Sequence, residues 1–195
     1  MSDATTRAAA GPAAWALAAI ALILVGHPLA LYLMGQPLIC TCGYVKLWEG
    51  AVLSPGNSQH LFDWYTPSHV VHGVIFYAVL TLVAPRLPLS TRFALALGIE
   101  VAWEIFENTP FVIDRYRQQA LAQGYTGDSV INSMMDVVAM MVGFVLASRL
   151  PVLATIAIVI ALELFVAYAI RDNLTLNIVN FIYPLDAVRA WQAGS

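Results

Sequence analysis

The sequence predicts an all-α membrane protein, with five membrane-spanning helices and a short interfacial or re-entrant C-terminal segment in a single polytopic domain over 1–195. Composition is the first reason. Of 195 residues, 60% are hydrophobic and 11% charged, with mean hydropathy +0.75, whereas a soluble domain carries about a quarter charged residues and under half apolar. The second reason is segment length, since five stretches approach the roughly 20 mainly apolar residues that a bilayer crossing needs: 13–34, 67–84, 91–111, 129–148 and 151–170. The bilayer is therefore the expected first partner. A net charge of −3 with nine scattered Lys and Arg leaves no basic stripe to neutralise a phosphate backbone, which excludes nucleic acid.

The first span follows Arg7, which raises the competing reading of a cleaved signal peptide. Its apolar run continues past Gly26, His27 and Pro28 to Met34, longer than a signal core, so an uncleaved anchor is expected. Pro85, Pro88, Pro110 and Pro151 punctuate the boundaries of the later spans, where helices commonly end. The third and fourth spans carry carboxylates that hydropathy alone undervalues. Residues 174–185 are apolar but too short to cross, and are expected to lie at the interface or dip back toward the helices. The tight turns holding Arg86 with Arg92, and Arg149, contain no acid. The positive-inside rule then puts the N-terminus in the cytoplasm and the C-terminus in the periplasm of a bacterial inner membrane. Trp48, Trp64, Tyr65, Tyr116, Tyr125 and Tyr183 supply an outer aromatic belt, and Arg115, Arg117 and Arg189 read as headgroup anchors.

With alternating helices, the polar residues gather at one end of the bundle. His69 and His72 begin span two, Glu104 and Glu107 end span three, and Asp128, Asn132 and Asp136 begin span four. At 100° per residue, Glu100, Glu104 and Glu107 fall within roughly 60° of one another. His69 and His72 share a face at i, i+3. Asp128, Asn132 and Asp136 repeat at four-residue spacing, with Gly143 near the same line to admit a close neighbour. Three polar stripes pack most economically around one cleft. His60 and Asp63 read either as its cap or as a hydrated loop, and His27 as a solvated or helix-packing histidine.

Glu100, Glu104, Glu107, Asp136 and Glu163 lie within spans while every Lys and Arg sits at or beyond a boundary. Each such acid costs around 2.5 to 3.5 kcal/mol at mid-helix, less near the edge. Protonation, pairing with histidine or an edge arginine, water, or a bound cation would offset that cost. Carboxylates and imidazoles in this pattern supply ligands for a divalent metal ion. The expected set is His69, His72, Glu104 and Asp136 as ligands, Glu107 and Glu100 as catalytic carboxylates, and Asn132, Asp128 and His60 as further cleft residues. The expected chemistry is metal-assisted hydrolysis or transfer on a lipid-linked substrate. Two alternatives stand beside it. The acid ladder reads as a proton-coupled carrier, although residues 93–99 are apolar and close the path, or the stripes dock a membrane protein partner in an assembly role. Cys40 and Cys42 form a lone C-x-C, open to soft metal binding, a disulfide or two thiols.

The segments LICTCGYVKLWEG, DWYTPSHVVHG, WEIFENTPF and GDSVINSMMD resemble an uncharacterised family of bacterial multi-pass inner-membrane proteins across nearly the whole chain, which implies a location and no reaction. From Glu100 to Gly143 the chain also resembles VanZ-like small membrane proteins, through Trp103, Glu104, Glu107, Asp128, Asn132, Asp136 and Gly143. The order Asp114-Arg115, Asp128, Asn132, Asp136, Gly143 is similar to that of lipoprotein signal peptidases, at shorter spacing. That likeness implies an Asp128/Asp136 pair sharing a proton.

Overall fold

A computed structural model describes residues 12–194. It contains α1 (Pro12–Leu33), α2 (Thr66–Val83), α3 (Leu89–Glu107), α4 (Pro110–Tyr116), α5 (Val130–Arg149), α6 (Val152–Ile170), α7 (Leu174–Ile182) and α8 (Asp186–Ala193). Arg7 lies outside the described residues. Among the described residues the only β pairing is an isolated bridge between Trp48 and Phe62. Four helices, α1, α2, α5 and α6, are long and apolar enough to cross a membrane. Leu82 on α2, Leu153 on α6 and Tyr168 on α6 are at least 80% exposed, the outward apolar surface that suits lipid.

Local chemistry sets the breaks. The third helix ends at Glu107 rather than at 111, because Thr109 precedes Pro110 and adopts φ −79°, ψ 152°, the extended conformation that proline imposes on its neighbour. Pro110 then opens α4, where its missing N–H costs nothing. The Ser129 side chain caps α5 by accepting from the Asn132 amide. Loop carbonyls meet other amides at this end: Ser129, Val130 and Ile131 donate to Ser58, Pro37 and Leu38. The start of α5 is thereby seated on the 35–65 loop.

Helices α2 and α5 run in the same direction and touch backbone to backbone. A Cβ on Gly73 would collide with the Met140 carbonyl and one on Gly143 with the Val70 carbonyl, so small residues are obligatory on both sides. Leu80, Leu97, Val101, Val137, Met140 and Phe144 form an apolar core, which fills the half of the bundle away from the polar residues.

The residues after α6 fold back on the bundle. Glu163, one of the in-span acids whose cost the sequence left to be offset, caps α7: its carboxylate accepts from the amides of Leu174 (3.1 Å) and Thr175 (3.0 Å) and from the Thr175 hydroxyl (2.6 Å). A carboxylate at a helix N-terminus satisfies orphan amides and meets the positive end of the dipole. The arginines read as headgroup anchors donate instead to backbone carbonyls: Arg115 to Phe181, Arg117 to Tyr125 and Arg189 to Gln118. Two of these bonds hold the tail against α4 and the loop after it.

Candidate functional site

A cavity of about 570 Å³ opens among α2, α3, α5, α7 and the loop before α5. Its polar side is formed by His69, His72, Glu104, Glu107, Asp128 and Asp136. The opposite side is apolar, with Ile75, Phe76, Ile99, Trp103, Ile178 and Phe181. The stripes deduced from helical spacing thus meet in one place, and the tail contributes a wall.

Glu100 occupies a different position from the other acids. It is completely buried and is not part of the cavity wall. Its carboxylate receives Nδ1 of His69 at 2.7 Å and Nδ1 of His72 at 3.1 Å. A carboxylate only accepts, so a proton on Nδ1 of each ring suits this contact and would leave each Nε2 lone pair free, the tautomer that a metal ligand needs. His69 Nε2 lies 3.9 Å from Asp136, and His69 Nδ1 lies 3.3 Å from Glu104. One ligand atom from each of His69, His72 and Glu100 lies within 4.8 Å of the others, as do ligand atoms of Glu104, Glu107 and Asp128. The two groups adjoin through the His69–Glu104 contact. This donor set of imidazoles and carboxylates suits a divalent first-row metal.

Glu104 is anchored from behind. The Ser133 hydroxyl donates to Glu104 Oε2 at 2.6 Å, and His27 Nε2 meets Ser133 Oγ at 2.9 Å. Glu104 Oε1 is buried with no hydrogen-bond partner among the described residues. His27, read from sequence as packing or solvated, is 1% exposed and joins α1 to this chain of polar groups. At the other end, Asn108 Nδ2 donates to Asp128 at 2.7 Å, and Asn108 Oδ1 accepts from the Asp128 amide at 2.7 Å. The Tyr125 hydroxyl donates to Asp128 at 2.9 Å, and Tyr116 hydrogen-bonds Glu107. Burial outweighs these bonds and lifts Asp128 to about 6. Asp136 meets His69 and the Thr66 hydroxyl, so the two aspartates have separate partners.

Asn132 and His60 stand outside the cavity wall. Asn132 Nδ2 donates to the His60 carbonyl at 2.8 Å, tying α5 to the loop. His60 sits beside Lys46, Glu49 and Tyr44. Burial, with the Lys46 charge, lowers the His60 imidazole below its ordinary value. Asp63 accepts from the amides of Ser58 and Tyr65 and shapes the turn into α2. Cys40 and Cys42 are joined as a disulfide, which resolves the alternatives left open by their spacing. Ser133 and Asn108 went unread in the sequence, where Tyr116 and Tyr125 were given to an aromatic belt and His27 to packing or solvation. Ser133 falls one residue after Asn132, and only its packing against α1 and α3 marks it.

The chain matches the family model described as "Protein of unknown function (DUF2585)" over residues 31–194. A UPF0314 protein of Rhizobium meliloti is 58% identical over 182 residues, covering 93% of this chain and 92% of that protein. UPF0314 proteins of Paracoccus denitrificans and Sphingopyxis alaskensis are 53% and 48% identical, over 89% and 92% of this chain and 90% and 95% of their own lengths. No solved structure matches the chain. The resemblance to an uncharacterised bacterial family is thus established over most of the length, and the chain belongs to the DUF2585 family.

Proposed function

We propose that this protein crosses the bacterial inner membrane five times, and that the cavity is the active site of a metal-dependent hydrolase or transferase for a lipid-linked substrate. Helices α1, α2, α3, α5 and α6 are the crossings, with the N-terminus cytoplasmic and the C-terminus periplasmic. Helix α3 has 19 residues, about 28 Å of helix, and its acids turn inward onto α2, α5 and the cavity. The single observation that carries the reading is the pair of imidazoles turned by one buried carboxylate so that Nε2 of each is free, with Glu104 and Asp136 beside His69.

In this reading His69, His72, Glu104 and Asp136 hold the cation, and Glu100 orients the imidazoles from outside the cavity. A bound divalent ion would supply positive charge against a carbonyl or phosphoryl oxygen. Glu107, buttressed by Tyr116, accepts the proton of the attacking water or alcohol and returns it to the leaving group. The apolar wall receives the substrate's hydrocarbon portion and keeps bulk water away. The buried cluster around Leu97, Val137 and Met140 fills the far half of the bundle and favours a closed cleft over a carrier path.

The test is metal analysis of the full-length protein in lipid nanodiscs. A stoichiometric divalent ion is expected, lost in His69→Ala and His72→Ala and retained in Glu107→Gln, with chelation lowering the melting temperature. Protein that is metal-free and indifferent to chelators overturns the reading. Its co-purification with one stoichiometric membrane protein, lost in Glu104→Gln, would assign the stripes to partner docking instead.

A further inference from the structure

A second chamber adjoins the cavity on its loop side. It measures about 510 Å³ and lies between the 35–59 loop and residues 121–126. Asn57, Ala122 and Tyr125 line both spaces, which therefore adjoin at these three residues. The chamber's polar wall is made of amides and hydroxyls, Gln36, Thr41, Ser54, Asn57, Gln59 and Thr126, and among the described residues no charged side chain lines it. Between these groups lie Pro37, Val52, Leu53, Pro55 and Leu121.

We propose that this chamber binds a neutral, hydroxyl-rich headgroup, a sugar or polyol, carried on the lipid whose hydrocarbon occupies the apolar cavity. The assignment deepens the proposed function and rests on its lipid-linked reading. Each part of the wall matches that chemistry. Hydroxyl groups donate to and accept from neutral amides. The interleaved aliphatic residues and the Tyr125 ring suit the C–H faces of a sugar ring. Among the described residues no Lys or Arg lines the chamber, and a phosphate headgroup would have Glu107 and Asp128 of the adjoining cavity nearby, an arrangement that disfavours anions. Two adjoining spaces, one with an extensive apolar wall and one lined by amides and hydroxyls, match the two halves of an amphiphile.

The experiment is native mass spectrometry of the full-length protein against chain-matched lipids: monoglucosyl diacylglycerol, diacylglycerol and phosphatidic acid, with free glucose and free maltose as soluble probes. The glucosyl lipid is expected to bind about tenfold more tightly than either other lipid, and the free sugars far more weakly. Thr41→Val and, independently, the loop substitution Thr126→Val, at residues that line the chamber and not the apolar cavity, should reduce that preference severalfold while leaving diacylglycerol affinity unchanged. Equal or tighter binding of phosphatidic acid overturns the proposal, as does a preference unaltered in both folded variants. Free sugar binding as well as the glycolipid would overturn the lipid-borne source and assign the chamber to a soluble glycan. The series is repeated after chelation: a sugar preference in metal-free protein retains this inference while the metal reading falls, and bound metal without any sugar preference does the reverse.

Discussion

Replacing Glu100 by Gln isolates the orienting role from every other role of the acids. The wild-type carboxylate accepts from two ring N–H groups, at 2.7 Å from His69 and 3.1 Å from His72. An amide of the same shape has one oxygen and one NH₂ group. One imidazole must therefore face a donor, and it relieves the clash by moving its proton to Nε2, which removes it as a ligand. Loss of an outer partner of this kind costs roughly 10- to 100-fold in metal affinity, equivalent to about 1.4–2.7 kcal/mol. The assay is competition for Zn²⁺ or Mn²⁺ against a chromogenic chelator, using protein in nanodiscs. Glu107→Gln is the control, because Glu107 lies outside the ligand set and its loss should leave affinity within about twofold. Folded Glu100→Gln protein that binds the ion as tightly as wild type would refute the reasoning.

Three further outcomes follow from the same geometry. Gly143→Ala and Gly73→Ala each force a methyl group into a facing carbonyl and should destabilise the protein by about 3 kcal/mol or more, while Gly98→Ala, whose Cβ would sit 3.8 Å from Ile23, should be tolerated; melting curves in detergent distinguish them. Ser133→Ala strands both Glu104 Oε2 and His27 Nε2, and a loss of about 2–4 kcal/mol is expected by the same measurement. Burial lifts Asp172 to about 6 from an ordinary 3.8, so the folded state binds its proton more tightly than the unfolded chain. Its contribution to stability therefore grows as pH falls from above 6 to below about 4, by about 3 kcal/mol in all. Melting of wild type relative to Asp172→Asn from pH 7.5 to 4 should show wild type gaining over the variant, and parallel curves would contradict the assignment.

Much of the site was legible because helical periodicity converts spacing into direction. Glu100, Glu104 and Glu107 form one stripe in any helix, and the stripes on α2 and α5 had to share an interior with them. Periodicity does not tell which acid faces the cavity and which stands behind an imidazole. Glu100 and Glu104 are four residues apart, yet the first orients histidines while the second lines the cavity. The role of Glu163 was hidden for another reason: its partners are the amides of a helix that begins eleven residues later, and backbone groups leave no trace in side-chain patterns. His27 and Ser133 were obscure because their bond joins residues 106 positions apart. The end of α3 was readable in Thr109-Pro110, once the constraint on the residue before proline is given more weight than hydropathy.

The capping of α7 by Glu163 orders events during biogenesis. Helices α2, α3 and α5 leave the ribosome before α7 does, so in the five-crossing arrangement proposed above their histidines and acids would pass into the membrane while one side of their enclosure is still unmade. Closure waits until the nascent chain has extended past residue 182 and the carboxylate on α6 can capture the newly made amides. Until that capture the half-built bundle must be sheltered by water, lipid headgroups or an insertion factor. Glu163→Ala would accordingly impair assembly in cells more severely than it impairs protein that has already matured.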